Sequence, residues 1–323
     1  MSEVARGQVL ALSGGVGGAK LALGLSRVMD PAGLTVVANT GDDFVHLGLP
    51  VSPDIDTLVY TLSGLVNTEL GWGRAGETWT FMAALEALGG ETWFQLGDGD
   101  LAMHVERGRR LAAGEGLGAI TADISARLGI GAAILPMSDD LVRTIVETPD
   151  GPLDFQHYFV RERCAPTVTG FRFDGVEAAR PQPLFLAALE DPDLAAVIIC
   201  PSNPFISIDP ILALPGVRAA MASCPSPVIA VSPIVGGRAI KGPTAKMMGE
   251  LGMPAMAAAV AAHYGDVIDG FVIDQADATI ADQLHATGLR VHITSTVMKN
   301  LADREALARE VLGLAAKIGD GGG

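Results

Sequence analysis

A short apolar run, Val9 to Leu12, breaks directly into "SGGVGGAK" (13–20) and resumes as the helix-patterned "LALGLSRVM". Strand, glycine turn and helix in immediate succession open a βα unit. Parallel strands cannot be joined by a tight hairpin, so each further strand needs a crossover connection, usually a helix. The rest of the chain supplies that alternation. "LTVVAN" (34–39), "AAVIIC" (195–200), "PVIAVS" (227–232), "DGFVID" (269–274) and "RVHIT" (290–294) are short β-rich runs separated by segments of helical periodicity such as "PAMAAAVAAHYG". The expected fold is α/β: a Rossmann-like, mostly parallel sheet with helices on both faces. Aromatics are only 5% of the 323 residues, so Ala, Leu, Val and Ile must fill the core.

The middle reads differently. "LVRTIVETPDGPLDFQHYFV" (141–160) is two strand-like runs around a Pro-Asp-Gly turn, which predicts a hairpin. Residues 100–190 are therefore expected to form an inserted α+β subdomain within one unit, 1–323, since no linker divides the chain and no repeat is visible.

Four glycines in five residues, 14 to 18, exceed what a turn requires. Backbone N–H groups there can approach a phosphate at the positive end of a helix. A tight turn that needs glycine only for packing is the competing account. The spacing departs from the dinucleotide fingerprint, because the third glycine counted from Gly15 falls on Lys20, and no Walker Gly-Lys-Ser/Thr run is present. The second strand ends in Asn39-Thr40, where a dinucleotide fold places an acid for the ribose. An NAD(P)-dependent oxidoreductase is thereby disfavoured.

Next comes "NTGDDFVHLGLPVSPDIDT" (39–57), with Asp42, Asp43, Asp54 and Asp56 and no Lys or Arg. "SPDIDT" suits a helix start: Ser52 can cap, Pro53 fits the first turn, and acids favour the positive helix end. That accounts for Asp54 and offers an account of Asp56, but not of Asp42 and Asp43. Hard oxygen ligands beside a phosphate loop suit Mg²⁺, which uses one or two carboxylates plus substrate oxygens. A carboxylate there could also orient an attacking hydroxyl.

Other polar loops recur at strand ends: Asp98 and Asp100 in "LGDGD", Ser138 to Asp140 in "LPMSDD", Ser202 and Asn203 in "CPSNP", and Ser232, Gly236, Gly237, Arg238 and Lys241 in "SPIVGGRAIKGP". The last joins glycines to two cations and is a natural second phosphate contact. Helix capping by Asp100 and a plain turn at Ser202-Asn203-Pro204 are the alternatives. His46 lies inside the acidic stretch and could touch substrate. Trp72, Arg74 and Trp79 offer either an aromatic wall or core packing.

A net charge of −15 argues against nucleic acid or an anionic membrane as partner. Cys164, Cys200 and Cys224 show neither a disulfide nor a zinc pattern, and no apolar run is long enough to span a bilayer. A cytoplasmic protein is expected.

In their order, "LSGGVGGAK", "NTGDD", "SPDIDTLVYTLSG", "WG…ETW", "LGDGDLAMH", "LPMSDD", "FQHYFV", "PSNPFISI" and "VSPIVGGRAIKGP" resemble the 2-phospho-L-lactate transferase family of coenzyme F(420) biosynthesis. The resemblance implies Mg²⁺-dependent transfer of a phospholactyl or phosphoenolpyruvyl group. The donor would be guanosine diphosphate-activated, the acceptor the terminal ribityl hydroxyl of the deazaflavin Fo, and GMP the leaving product. A homodimer is expected. Carried onto this chain, Gly14, Gly15, Val16, Gly17, Gly18 and Lys20 would hold the diphosphate. Ser138, Ser202, Asn203, Ser232, Gly236, Gly237 and Lys241 would meet the nucleotide. Asp43 and Asp56 would serve metal and hydroxyl with Asp42 nearby, and Asp54, Asp56, His46, Trp72, Gln95 and Asp98 would meet Fo. Many relatives read "LGDRD" where this chain has Gly99, so Arg74, Arg107 or Arg109 would have to replace a missing cation. Relatives of this fold without transferase activity make a nucleotide-binding regulator the rival reading.

Overall fold

The computed structural model describes residues 7–69 and 72–320. Seven strands form one sheet: β1 (Gln8–Ser13), β2 (Leu34–Ala38), β3 (Ala133–Pro136), β4 (Leu194–Ile199), β5 (Val228–Val231), β6 (Gly270–Asp274) and β7 (Arg290–Thr294). Their order is β7-β6-β5-β4-β1-β2-β3, and every neighbouring pair is parallel. This is the Rossmann order 3-2-1-4-5-6 with one strand added. Parallel strands covered on both faces need apolar residues at successive positions, which is why these runs are Val- and Ile-rich without alternation.

Val9, Ala11, Val36, Ile198, Val231 and Val272 face helices α1 (Gly15–Val28), α2 (Pro53–Leu62) and the C-terminal helix Leu301–Asp320. Leu10, Leu12, Val37, Val197, Ile199 and Phe271 face the opposite layer, with Phe185, Ile211, Val217, Met247 and Val260. The first layer is built almost wholly of small and branched aliphatics, whereas the second also takes in Phe155, Tyr158, Phe185, Phe205, Tyr264 and Phe271.

Residues 100–190 do not behave as one piece. Helix α3 (Asp98–Ala112) and the helix Leu117–Arg127 lead into β3, an edge strand of the main sheet. The sequence reading passed over β3 because only Ile134 and Leu135 in it are branched apolar residues and it ends in proline. Beyond it lies a three-stranded antiparallel sheet, with Arg143–Glu147 between Leu153–Asp154 and Gly170–Asp174. The expected hairpin at Pro149-Asp150-Gly151 is present, but its second arm is two residues long before the chain enters a π-helical turn at His157–Arg161. A second small hairpin pairs Phe44–His46 with Leu49–Val51 through Leu47 and Gly48, both at positive φ.

Candidate active site

In doubly wound sheets, ligands bind beyond the carboxyl ends of the strands, where the strand order reverses. Here that point lies between β1 and β4. The loops leaving both strands meet there, and the main-chain N–H of Gly14 donates to Ser202 Oγ at 3.1 Å. Helix α1 begins at Gly15, so Gly15, Gly17 and Gly18 lie in its first turn rather than in a free loop. A Cβ on Gly17 would fall on the Pro201 carbonyl oxygen, and one on Gly18 on Ser13 Oγ and Ser202 Oγ. Close packing of helix against loop therefore explains these two glycines.

Asp54 occupies the mouth of this helix. Its Oδ1 accepts from the Gly15 N–H at 2.6 Å and its Oδ2 from Asn39 Nδ2 at 3.0 Å. Asn39 also donates to the Ile206 carbonyl at 3.1 Å and accepts from the Gly41 N–H at 2.8 Å, tying the loops after β1, β2 and β4 together. Sequence reading took Asn39 only as a missing ribose acid. Its buried amide is the node of the crevice.

Asp42 and Asp43 follow β2 and are buried. Burial, then the neighbouring Asp54, raises Asp42 well above the usual carboxylate range. Burial pushes Asp43 up to about 8 despite a bond from Ser52 and the opposing charges of Arg107 and Arg143. The Ser52 hydroxyl donates to Asp43 Oδ2 at 2.6 Å. Ser52 thus orients an acid instead of capping α2 through its side chain, whereas Pro53 does open that helix. Asp42 Oδ1 and Asp43 Oδ1 are buried without hydrogen-bond partners. Two acids with orphaned oxygens, near a third and a fourth, form a donor set suited to a hard divalent cation. Asp42 and Asp43 line a cavity of about 280 Å³, whose wall also includes Arg143, Thr144, Gln156 and His157. Arg143 is a cation that sequence reading missed, because nothing in a strand-patterned "VRTIVE" marks an arginine as turned toward the acids of another loop.

Asp56 is differently engaged. It forms a bidentate pair with Arg107, which is 1% exposed: Nη2 donates to Oδ1, and Nη1 to Oδ2 at 3.3 Å. Arg107 Nη1 also lies 3.3 Å from His104 Nδ1, His104 Nε2 lies 3.2 Å from Asp100 Oδ2, and the Tyr60 hydroxyl donates to Asp100. Asp56, Asp100 and His104 offer ligand atoms within 4.8 Å of one another, but Arg107 already neutralises the first. Asp100 therefore lies within this network rather than capping α3.

The remaining expected residues are dispersed. Asp98 accepts from the N–H groups of Thr80 and Phe81, capping the helix Thr80–Ala87, while Glu77 caps α3 through Gly99 and Asp100. A Cβ on Gly99 would fall on Arg74 Nη1, so the Arg74 guanidinium lies over that position. Gln95 is exposed and bonded to the Thr92 carbonyl, and Trp72 is 48% exposed. Ser138 and Ser232 bond to nearby main chain at Arg180 and Ile234. Asn203 accepts from the Phe205 N–H, opening the turn suggested by its sequence. Gly236 and Gly237, both at positive φ, turn the hairpin Ile234–Val235 to Arg238–Ala239. Lys20 donates to the Met298 carbonyl at 3.0 Å; its pKa is lowered by burial and then by Lys241 and Arg304.

Fold and site together define an α/β protein that gathers buried carboxylates, a helix N-terminus and a few cations around a Rossmann switch point, where such sheets bind ligands. Residues 9–312 match the 2-phospho-L-lactate transferase CofD family, and the chain belongs to that family of transferases. It is 40% identical over 321 residues to a phosphoenolpyruvate transferase of Kitasatospora aureofaciens, covering 97% of this chain and 99% of that one. It is 37% identical over 310 residues to a 2-phospho-L-lactate transferase of Methanococcoides burtonii, covering 96% and 100%. Among solved structures, a UPF0052 family protein from Bacillus halodurans shares the fold with a TM-score of 0.63 at 15% identity, over 95% of this chain and 99% of that one. No helix among the described residues is long and apolar enough to cross a membrane.

Proposed function

We propose that this protein transfers a phospholactyl- or phosphoenolpyruvyl-type group from a guanosine diphosphate-activated donor to the terminal ribityl hydroxyl of Fo. GMP is released, and the reaction serves coenzyme F(420) biosynthesis. The observation that carries the reading is the pair Asp42 and Asp43, buried with unpartnered oxygens, with Asp42 close enough to feel the charge of Asp54, the carboxylate on the first amide of α1. Family membership supplies the reaction class.

The chemistry is one displacement. The acceptor oxygen forms a bond to the phosphorus that carries the three-carbon acid. The anhydride bond to GMP breaks, GMP leaves with the electron pair, and the hydroxyl proton must be removed. Asp43 suits that last role by position: it lines the cavity, and ionised beside a bound cation it could orient the hydroxyl and accept its proton. Ser52, donating to Oδ2 at 2.6 Å, holds the carboxyl group in one orientation. Arg143 brings positive charge to the wall where phosphoryl oxygens gain negative charge. Mg²⁺ held by Asp42 and Asp43 would neutralise diphosphate charge and keep the acids ionised. Asp56 enters through Arg107, whose charge lowers the Asp43 pKa.

Incubating the protein with Fo, Mg²⁺ and each activated donor tests this directly. The expected outcome is equimolar GMP and a phosphodiester of Fo by mass spectrometry. Guanosine nucleotide binding without GMP release, for every donor, would instead favour the regulator.

A further inference from the structure

The two edges of the main sheet are guarded differently. Along β3 the N–H of the next residue, Met137, donates to the Ala38 carbonyl. Main-chain groups alternate in direction along a strand, so those of Ile134 and Pro136 point away from β2. Pro136 has no N–H to offer, which blunts that edge. At the other edge the Arg290 N–H donates to the Asp269 carbonyl at 3.0 Å, and the register with β6 is unbroken. Val291 and Ile293 therefore turn their N–H and C=O groups outward. No further strand pairs with β7, and no hydrogen bond reaches those groups among the described residues. β7 carries no proline and no acid, and its Ile293 side chain is 41% exposed. In a chain of net charge −15, an apolar edge without a carboxylate is a place where two copies can approach each other.

We infer that β7 pairs antiparallel with β7 of a second copy about a two-fold axis at His292, so that one sheet runs through both. In this register Val291 lies opposite Ile293 of the second copy and exchanges both main-chain bonds with it. Symmetry repeats the exchange, for about four hydrogen bonds in all. It is the register that pairs both outward-facing residues within the strand. Val291 and Ile293 share a face, so each exposed isoleucine also meets a branched apolar neighbour. On the other face Arg290 of one copy comes diagonal to His292 of the other. Nε2 of His292 lies 2.7 Å from Glu310 Oε2, and a diagonal separation of about 7–8 Å is within an arginine's reach. The contact therefore sets a cation beside an acid twice, once for each copy. A stable interface takes roughly 800 Å² from each partner, more than a five-residue edge offers. The chain beyond Thr294 of the second copy runs past Leu289 and Gly288, which line a cavity of about 570 Å³ with Ala258, Ile268 and Leu284. That cavity lies at the amino end of β7, away from the candidate active site, and supplies the further surface.

Size exclusion with light scattering on the full chain reads the mass, and three variants locate the contact. The wild-type protein should have twice the mass of one chain. Ile293→Pro deletes a donor that faces outward and none that faces β6, so it should run as a single chain. Ile293→Lys keeps every main-chain group and sets a charge at the same place; it should also run as a single chain, and it carries the test if the proline variant does not fold. His292→Cys brings two thiols together at a non-hydrogen-bonded pair, with Cα atoms about 4.5 Å apart, inside the disulfide range of roughly 4.4–6.8 Å. Mild oxidation should link that variant into a dimer through position 292, as peptide mapping would show. The wild-type protein, with Cys164, Cys200 and Cys224 free, should stay unlinked. A monomeric wild-type protein overturns the inference. A dimer that survives both Ile293 substitutions and does not link through position 292 places the interface elsewhere and overturns it as well.

Discussion

Asp54 accepts a hydrogen bond from the main-chain N–H of Gly15 at 2.6 Å, so the first amide of α1 is already taken by a carboxylate of the chain itself. A helix N-terminus is a ready anion site. Here it is partly filled, and a diphosphate approaching it meets negative charge before it meets amides. The same carboxylate holds Asn39 at 3.0 Å.

Replacing Asp54 separates those roles. Asp54→Ala leaves the buried amide of Asn39 and the Gly15 N–H short of an acceptor and should cost about 1–3 kcal/mol in urea unfolding. Asp54→Asn keeps one acceptor and removes a charge that burial disfavours, so it should lie above the alanine variant in stability. It should also bind guanosine diphosphate more tightly than wild type when divalent cation is absent. Equal stability of the two variants would show that the Asp54 bonds contribute nothing.

Arg107 and Asp56 form a buried pair, and breaking one side leaves an uncompensated charge. Arg107→Met and Asp56→Asn should each destabilise the fold by roughly 3–5 kcal/mol, and the double variant by clearly less than the sum. Loss of turnover in Asp56→Asn alone therefore does not separate catalysis from packing. Turnover in a folded Arg107→Met/Asp56→Asn protein does. A strictly additive cycle would contradict the coupling seen in the geometry.

Much of the fold was legible because parallel strands buried on both faces leave unbroken apolar runs. Six of the seven sheet strands stand out in this way, and only Ala133–Pro136, with two branched apolar residues between an alanine and a proline, does not. The switch-point loops were legible through glycine and the Ser-Asn-Pro turn. What the sequence could not convey was pairing between distant side chains. Nothing local says that Ser52 turns away from its own helix toward Asp43, that Asp56 answers Arg107, or that Arg143 shares a wall with Asp43. Trp93 and Trp72 look alike as residues, and only the tertiary fold puts one of them in a ring cluster and leaves the other exposed.

Asp43 makes the site pH-sensitive in a definite direction. Its folded pKa, about 8, lies above the ordinary aspartate value of 3.8. Between those values the folded protein holds a proton that the unfolded chain releases, so stability falls as pH rises across that window. A divalent cation must displace that proton, so Asp43 alone should raise its affinity by about tenfold per pH unit up to about pH 8, and the raised Asp42 adds to that slope. Calorimetric Mg²⁺ titration in buffers of different ionisation enthalpy reads both the affinity and the protons released. An affinity flat from pH 6 to 8 would remove Asp43 from the cation site. In Asp43→Asn the pH dependence should shrink, with what remains belonging to Asp42.

Gly15 and Gly17 are both glycines of the first turn of α1, yet they are required for different reasons. Gly15 has φ +63° and nothing closer than Asp54 Oδ1 at 3.9 Å to an added Cβ. Gly15→Ala should therefore cost only the left-handed backbone, about 1–2 kcal/mol, and leave the crevice its shape. Gly17 has ordinary φ, but a Cβ there collides with the main-chain carbonyl of Pro201, which cannot rotate aside as a side chain would. Gly17→Ala should push α1 away from the Pro201-Ser202 loop, stretch the Gly14–Ser202 bond and weaken guanosine diphosphate binding out of proportion to its effect on stability. Nucleotide titration alongside thermal unfolding of the two variants separates strain from displacement. If Gly15→Ala lost more nucleotide affinity than Gly17→Ala, the contact between helix and loop would not be what shapes the site.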